Sequence, residues 1–125
     1  MPTYDDKLFS PPAPVTRVAL RHPQSGARIL DVPMLIDSGP DVTLIPQSSV
    51  EVLGLEISPD EGYELISFDG HTSISKVVRL DLIFLRKTFK GRFLLINQQW
   101  GILGRDVLNH IALLLDGPHL SWDEL

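Results

Sequence analysis

Apolar and polar residues alternate with a period of two along much of this chain, and that alternation narrows its possible folds more than any other feature. In "VTRVALRHP", Val18 and Leu20 alternate with Arg17 and Arg21; "ARILDVPMLI" repeats the pattern through Leu30, Val32, Met34 and Ile36. Later, Val78, Leu80, Leu82 and Phe84 alternate with Arg79 and Asp81. A period of two puts every second side chain on one face of an extended strand, so these segments are expected to be half-buried strands. The "QSG" between the first two is a hairpin signal, and Pro33 puts the second strand at an edge or a bulge at that point. Asp69-Gly70 is the strongest short hairpin signal, with an extended arm on either side. Helix signals are few: "SSVEVL" before Gly54 fits one or two turns, and residues 105–110 fit another. Residues 111–115 read as a buried strand. The stretch "RKTFKGR" reads as a solvated strand edge or turn, where lysines discourage edge-to-edge association. Together these elements predict an all-β domain with one or two short helices.

At 125 residues the chain is of single-domain size and can bury a modest core. Residues 1–14 hold Pro2, Pro11, Pro12 and Pro14 and read as an extended arm carrying Tyr4, Leu8 and Phe9; residues 15–125 form the domain. A net charge of −5 and a pI near 5.2 give no electrostatic case for nucleic acid or an anionic membrane. There are no cysteines, hence no disulfide, thiolate metal site or thiol nucleophile. The N-terminus lacks a signal-peptide pattern and no stretch has the length of a membrane span, so the expectation is a soluble cytoplasmic protein.

Chemistry is sparsely signalled. His22, His71, His110 and His119 are scattered, with no spacing that brings two onto one metal, and they read as turn or surface residues. No G-x-S-x-G elbow and no phosphate-cradling glycine pattern occurs. Asp37 remains. In "LIDSGPDVTLIP", Asp37-Ser38-Gly39 stands between two apolar runs. As a tripeptide it makes ordinary turns. Its flanks, however, push the carboxylate toward a partly desolvated place, where a lone charge is expensive. Two carboxylates sharing one proton solve that problem: one then serves as base toward water while the other polarises a carbonyl.

With "GILGRDVL" further along, "LIDSGPDVTLIP" resembles the retropepsins, the single-domain, retroviral-type aspartic proteases. That family combines a D-[ST]-G-A loop after an apolar strand, a glycine-tipped flap hairpin, and an apolar-apolar-Gly-Arg-[Asp/Asn] segment opening a short helix. Asp37-Ser38-Gly39 matches the first element, Phe68-Asp69-Gly70-His71 the flap tip, and Ile102-Leu103-Gly104-Arg105-Asp106 the last. Each motif alone is weak, but their order over residues 15–116 is fairly specific. The resemblance implies a closed β-barrel that forms a C2 homodimer, one aspartate per subunit, acting on extended polypeptide without metal or cofactor. Carried over by position, Asp37 is the catalytic acid, Ser38 bonds across the dimer, and Gly39 lets substrate backbone approach. Asp41 and Arg105 brace the loop as an ion pair; the blander alternative is a surface pair worth little. Pro40, Ile102 and the flap residues Ile66, Ser67, Phe68, Asp69, Gly70 and His71 contact substrate; for His71 a plain surface hairpin fits equally well. The chain departs from the family at Pro40, where a small residue is usual, and proline removes a backbone donor. The rival expectation is a dimeric module on the same fold that grips peptide without cleaving it. Which termini pair in the dimer is open.

Overall fold

A computed structural model describes residues 2–55, 57–66 and 72–125. Its strands are β1 (Tyr4–Asp5), β2 (Ala13–Arg21), β3 (Arg28–Ile36), β4 (Leu44–Pro46), β5 (Ser58–Ile66), β6 (Thr72–Phe84), β7 (Lys87–Ile96), β8 (Gly101–Leu103), β9 (Leu113–Asp116) and β10 (Ser121–Glu124). Two short helices, α1 (Gln47–Leu53) and α2 (Arg105–Leu108), follow β4 and β8. Strands β2, β3, β8, β4, β7 and β6 pair in that order, and β2 pairs again with β6. The sheet therefore closes into a barrel. Hairpin turns make most pairs antiparallel, whereas β3–β8 and β4–β7 run parallel because longer connections bring those strands together.

The alternation read from the sequence largely survives. Val18, Leu20, Val32, Met34, Ile36, Val78, Leu80, Leu82 and Phe84 all turn inward, with Ile45, Leu103 and Val107 closing the core. Leu30 departs from it, at 64% exposed. The reason is local: Asp31 adopts a left-handed φ of 59°, and the β2–β3 register shifts between Val18 and Leu20. The extra residue resets the strand's inward phase before Val32. Pro33 lies opposite Arg17, one residue before the β8 pairing begins at Met34, so it occupies a stretch with one strand neighbour. The basic stretch forms a tight two-residue hairpin, with Leu85 and Arg86 both at positive φ between β6 and β7.

Glycine is required where β8 is squeezed between β3 and β4. A Cβ on Gly101 would collide with the Met34 sulfur, the Leu44 carbonyl oxygen at 2.6 Å and the Pro46 ring at 2.8 Å. Only a residue without a side chain lets the three strands meet there.

The termini form a separate small sheet. β9 pairs with β10, Thr3 bridges to Ser121, and β1 pairs with Ala13 and Pro14 of β2. The N-terminal arm is thus stitched between the barrel and the C-terminal hairpin, and β2 itself begins at Ala13. Trp122 anchors the hairpin: its ring is buried, and its indole N–H donates to the Val15 carbonyl at 2.8 Å. The expectation of a buried strand over residues 111–115 needs correction here. Ile111 and Leu113 pack against the core, but Leu114 and Leu115 are 55% and 52% exposed. β9 pairs only with β10 among the described strands, outside the barrel sheet.

Candidate active site

Asp37 stands at the end of β3, where the barrel strands give way to a loop. Its amide donates to the Leu103 carbonyl at 3.2 Å, which carries the parallel β3–β8 ladder one residue past the strand. The carboxylate is half-buried and accepts from the Gly39 amide at 2.9 Å through Oδ1. A Cβ on Gly39 would sit 3.1 Å from that same oxygen. Glycine therefore lets the loop fold tightly enough for its own amide to orient the catalytic candidate. Ser38 is exposed beside it.

Behind the loop lies a brace beyond the pair that the resemblance implies. A side-chain tie between loop and helix is made by Thr43 and Asp106. The Thr43 hydroxyl donates to Asp106 Oδ1 at 2.6 Å and accepts from the Gly104 amide at 3.0 Å; the Thr43 amide donates to Asp106 Oδ2 at 3.1 Å. A hydroxyl can donate and accept at once, so one fully buried threonine joins the loop, the Gly104 turn and the helix. Arg105 contributes through its main-chain amide, which donates to the Pro40 carbonyl at 3.0 Å, while its side chain is exposed. Asp41 is exposed as well. Thr43 lies two residues further along the loop than Asp41, and Asp106 one further along the helix than Arg105. As the first helical residue, Arg105 points out to solvent, and Asp106 is the side chain that faces Thr43.

Gly104 closes this arrangement. A Cβ there would meet Pro40 O and Val42 C, each at 2.9 Å, both main-chain atoms that cannot swing aside. The loop 37–43 and the start of α2 are therefore in backbone contact, and the site rests on two packed segments rather than on a free turn.

Register across the sheet reveals an apolar row that the sequence reading had not assembled. Ile102 lies opposite Leu35 on one side and Leu44 on the other, and Leu35 lies opposite Val15. All four are half-buried, while their strand neighbours Met34, Ile36, Leu103 and Ile45 fill the core. By the two-residue alternation, Asp37 falls on the Leu35 side of β3. The resemblance implies Ile102 as a substrate contact, whereas Leu35 and Leu44 stand in the sequence only as parts of apolar runs. Strand neighbours in space, which no local pattern encodes for three distant segments, would have been needed to find them.

The hairpin arms expected around the flap are present: β5 and β6 pair antiparallel up to Ile66 opposite Thr72. The tip itself, Ser67, Phe68, Asp69, Gly70 and His71, lies outside the described residues. Of the other histidines, His22 accepts through Nδ1 from the Gln24 and Ser25 amides, and His119 bonds Asp116 three residues earlier. Among the described residues no group of three or more histidine, aspartate or glutamate side chains converges as metal ligands.

Comparison with known structures defines the fold class. EIAV protease complexed with the inhibitor HBY-793 matches with a TM-score of 0.56 at 19% identity, covering 78% of this chain and 86% of that one. A retropepsin-like aspartic protease from Rickettsia conorii matches with a TM-score of 0.51 at 12% identity, covering 83% and 87%. The fold is that of the retropepsins, mostly β with a closed six-stranded barrel and two short helices. No protein-family model matches the chain, and no curated protein matches it in sequence. Among the described residues, no helix is long and apolar enough to cross a membrane.

Proposed function

We propose that this protein is an aspartic endopeptidase that works as a symmetric homodimer, with Asp37 of each copy contributing half of the site. The observation that carries the reading is the setting of Asp37: a half-buried carboxylate at the end of a core strand, oriented by the Gly39 amide on a loop braced through Thr43 and Asp106. The sequence holds a single Asp-Ser-Gly, so a carboxylate pair requires a second copy.

One Asp37 carboxylate removes a proton from water as the water oxygen attacks the peptide carbonyl carbon. The other, protonated, gives its proton to the carbonyl oxygen. Collapse of the tetrahedral intermediate breaks the C–N bond, and the amine leaves with a proton returned from the pair. No covalent enzyme intermediate, metal or cofactor is invoked. The row of Leu35, Ile102 and Leu44 supplies an apolar floor beside Asp37, which favours an extended polypeptide with apolar side chains near the cut. Ser38, exposed next to Asp37, is available to bond across the dimer, and the hairpin of β5 and β6 is the element that would close over bound peptide.

The dimer forms through the terminal sheet. β9 offers a strand edge with Leu114 and Leu115 exposed, and Leu120 and Leu125 add apolar surface nearby in the chain. α2, whose Asp106 holds the Asp37 loop, leads directly into β9. Pairing two β9 edges would therefore couple assembly to loop position.

Pro40 favours a second reading, the peptide-gripping module without cleavage. It has no amide to offer a substrate, and its carbonyl is already taken by Arg105. One experiment separates the two. A mixed peptide library is incubated with the protein between about pH 3 and 7, bracketing the carboxylate range. Cleavage that drops by roughly 10²–10⁴-fold in Asp37→Asn with peptide binding retained establishes the protease. Binding without cleavage at any of these pH values establishes the module.

A further inference from the structure

The two strand neighbours of β7 meet at Leu94. β4 pairs with Leu94, Leu95 and Ile96, whereas among the described strands the seven residues before them, 87–93, have β6 alone. The Leu94 amide donates to the Thr43 carbonyl, away from β6. Backbone direction alternates along an antiparallel strand, so the amides and carbonyls of Thr88 and Lys90 also point away from β6. They face a cleft of about 670 Å³ between β7 and α2.

The lining of that cleft is basic. The protein carries a net charge of −5, yet Lys87, Lys90 and Arg92 line this cleft, and Asp106, the one acid among its described lining residues, is committed to Thr43. Lys87 reaches across it to the His110 carbonyl at 3.0 Å. On β7 itself Lys90 stands opposite Asp81, which is buried and paired with Arg21 at 3.0 Å. Phe89 and Val107 supply an apolar floor, with the His110 ring beside Phe89. A Cβ on Gly91 would meet nothing within 4 Å, so there is open space over the strand at its midpoint.

We infer that this edge is a docking site for an acidic, extended segment of a partner polypeptide, which adds to β7 as a strand. Backbone pairing with Thr88 and Lys90 supplies the attachment, and alternate side chains of the segment reach the Phe89 floor and the lysines. A nucleic acid fits less well: it has no strand of amides to pair with the edge, and the net acidic charge of the protein repels it. Lysines that only guard an edge against aggregation would need no apolar-floored cleft beside them. The site is independent of Asp37, so it stands whether or not the chain cleaves peptides.

The test uses the full chain carrying Asp37→Asn, which prevents any consumption of the probe. Two synthetic dodecapeptides serve as probes, one alternating valine with glutamate and one alternating valine with lysine, together with an N-methylated form of the first that cannot pair as a strand. Binding is followed by fluorescence polarisation and by amide shifts in NMR spectra. The expected result is binding of the glutamate peptide alone, weakening with added salt, with shifts at Thr88, Lys90 and Gly91. Replacing both lysines (Lys87→Ala with Lys90→Ala) should weaken it about tenfold, with folding checked by circular dichroism. Equal binding of the lysine peptide, undiminished binding of the N-methylated peptide, or shifts confined to other strands overturns the proposal. So does an absence of binding by the glutamate peptide.

Discussion

The loop at Asp37 and the hairpin of β9 and β10 are built from similar residues and end in opposite states. Leu103, beside Asp37, is fully buried, and Leu114, eleven residues on, is more than half exposed. At the loop every polar group that brings segments together has a partner within the chain: Thr43, Asp106 and the amides of Gly39, Gly104 and Arg105. At the hairpin Trp122 is locked in, but Leu114 and Leu115 of β9 are left more than half exposed. On the proposed dimer, the difference separates what one copy finishes alone from what it leaves for the second. A braced loop fixes one carboxylate; an open edge of leucines would suit a symmetric partner.

The comparison breaks most completely where the monomer's own closure is attacked. Gly101→Val forces a side chain into the Met34 sulfur and into the main chain of Leu44, where nothing can yield. Overpacking at a strand crossing of this kind is expected to cost about 3 kcal/mol or more, seen as a large fall in Tm or as loss of soluble protein. If Gly101→Val melts like the parent, β8 is not clamped between β3 and β4. Thr43→Val is the next largest. Its shape is conserved, but the hydroxyl's two hydrogen bonds vanish and the Asp106 oxygen and Gly104 amide lose their partner. Leaving buried groups unpaired should cost about 2–3 kcal/mol in chemical denaturation. Peptidase activity should fall further than this stability loss explains, because the loop loses its support. An unchanged kcat with lower Tm would show that the brace serves folding alone.

How much of this was legible in the sequence follows from the range over which each signal acts. Alternation is local, and it located the core faces of β2, β3 and β6 because each strand carries its own period. It failed at Leu30, where a bulge at Asp31 shifts the phase, and no residue type there announces a left-handed φ as a glycine would. Asp37 was legible through the break it makes between two apolar runs. Its brace was not: Thr43 and Asp106 are 63 residues apart, and a threonine inside "VTLIP" looks like an ordinary strand residue. The row of Leu35, Ile102 and Leu44 was hidden for the same reason, since it exists only once β3, β8 and β4 lie side by side. The apolar run at residues 111–115 misled in the opposite direction. Apolar composition signals removal from water, but it does not say whether the cover comes from the same chain.

That last point yields the prediction with the smallest effect on the fold and the sharpest consequence for the comparison. Leu114→Glu places a charge on the exposed face of β9, where it touches no core residue. An exposed substitution of this kind should move monomer stability by no more than about 0.5 kcal/mol. If β9 is the dimer edge, however, each interface receives two glutamates close to the two-fold axis, and like charges facing one another oppose association. Sedimentation should show the parent as a dimer and the variant as a monomer at the same concentration. Peptidase activity should disappear with the dimer and return as protein concentration is raised, because each monomer still carries an intact, braced Asp37. A variant that stays dimeric and active would place the two-fold axis elsewhere on the barrel. The exposed leucines of β9 would then be surface residues with no part in assembling the site.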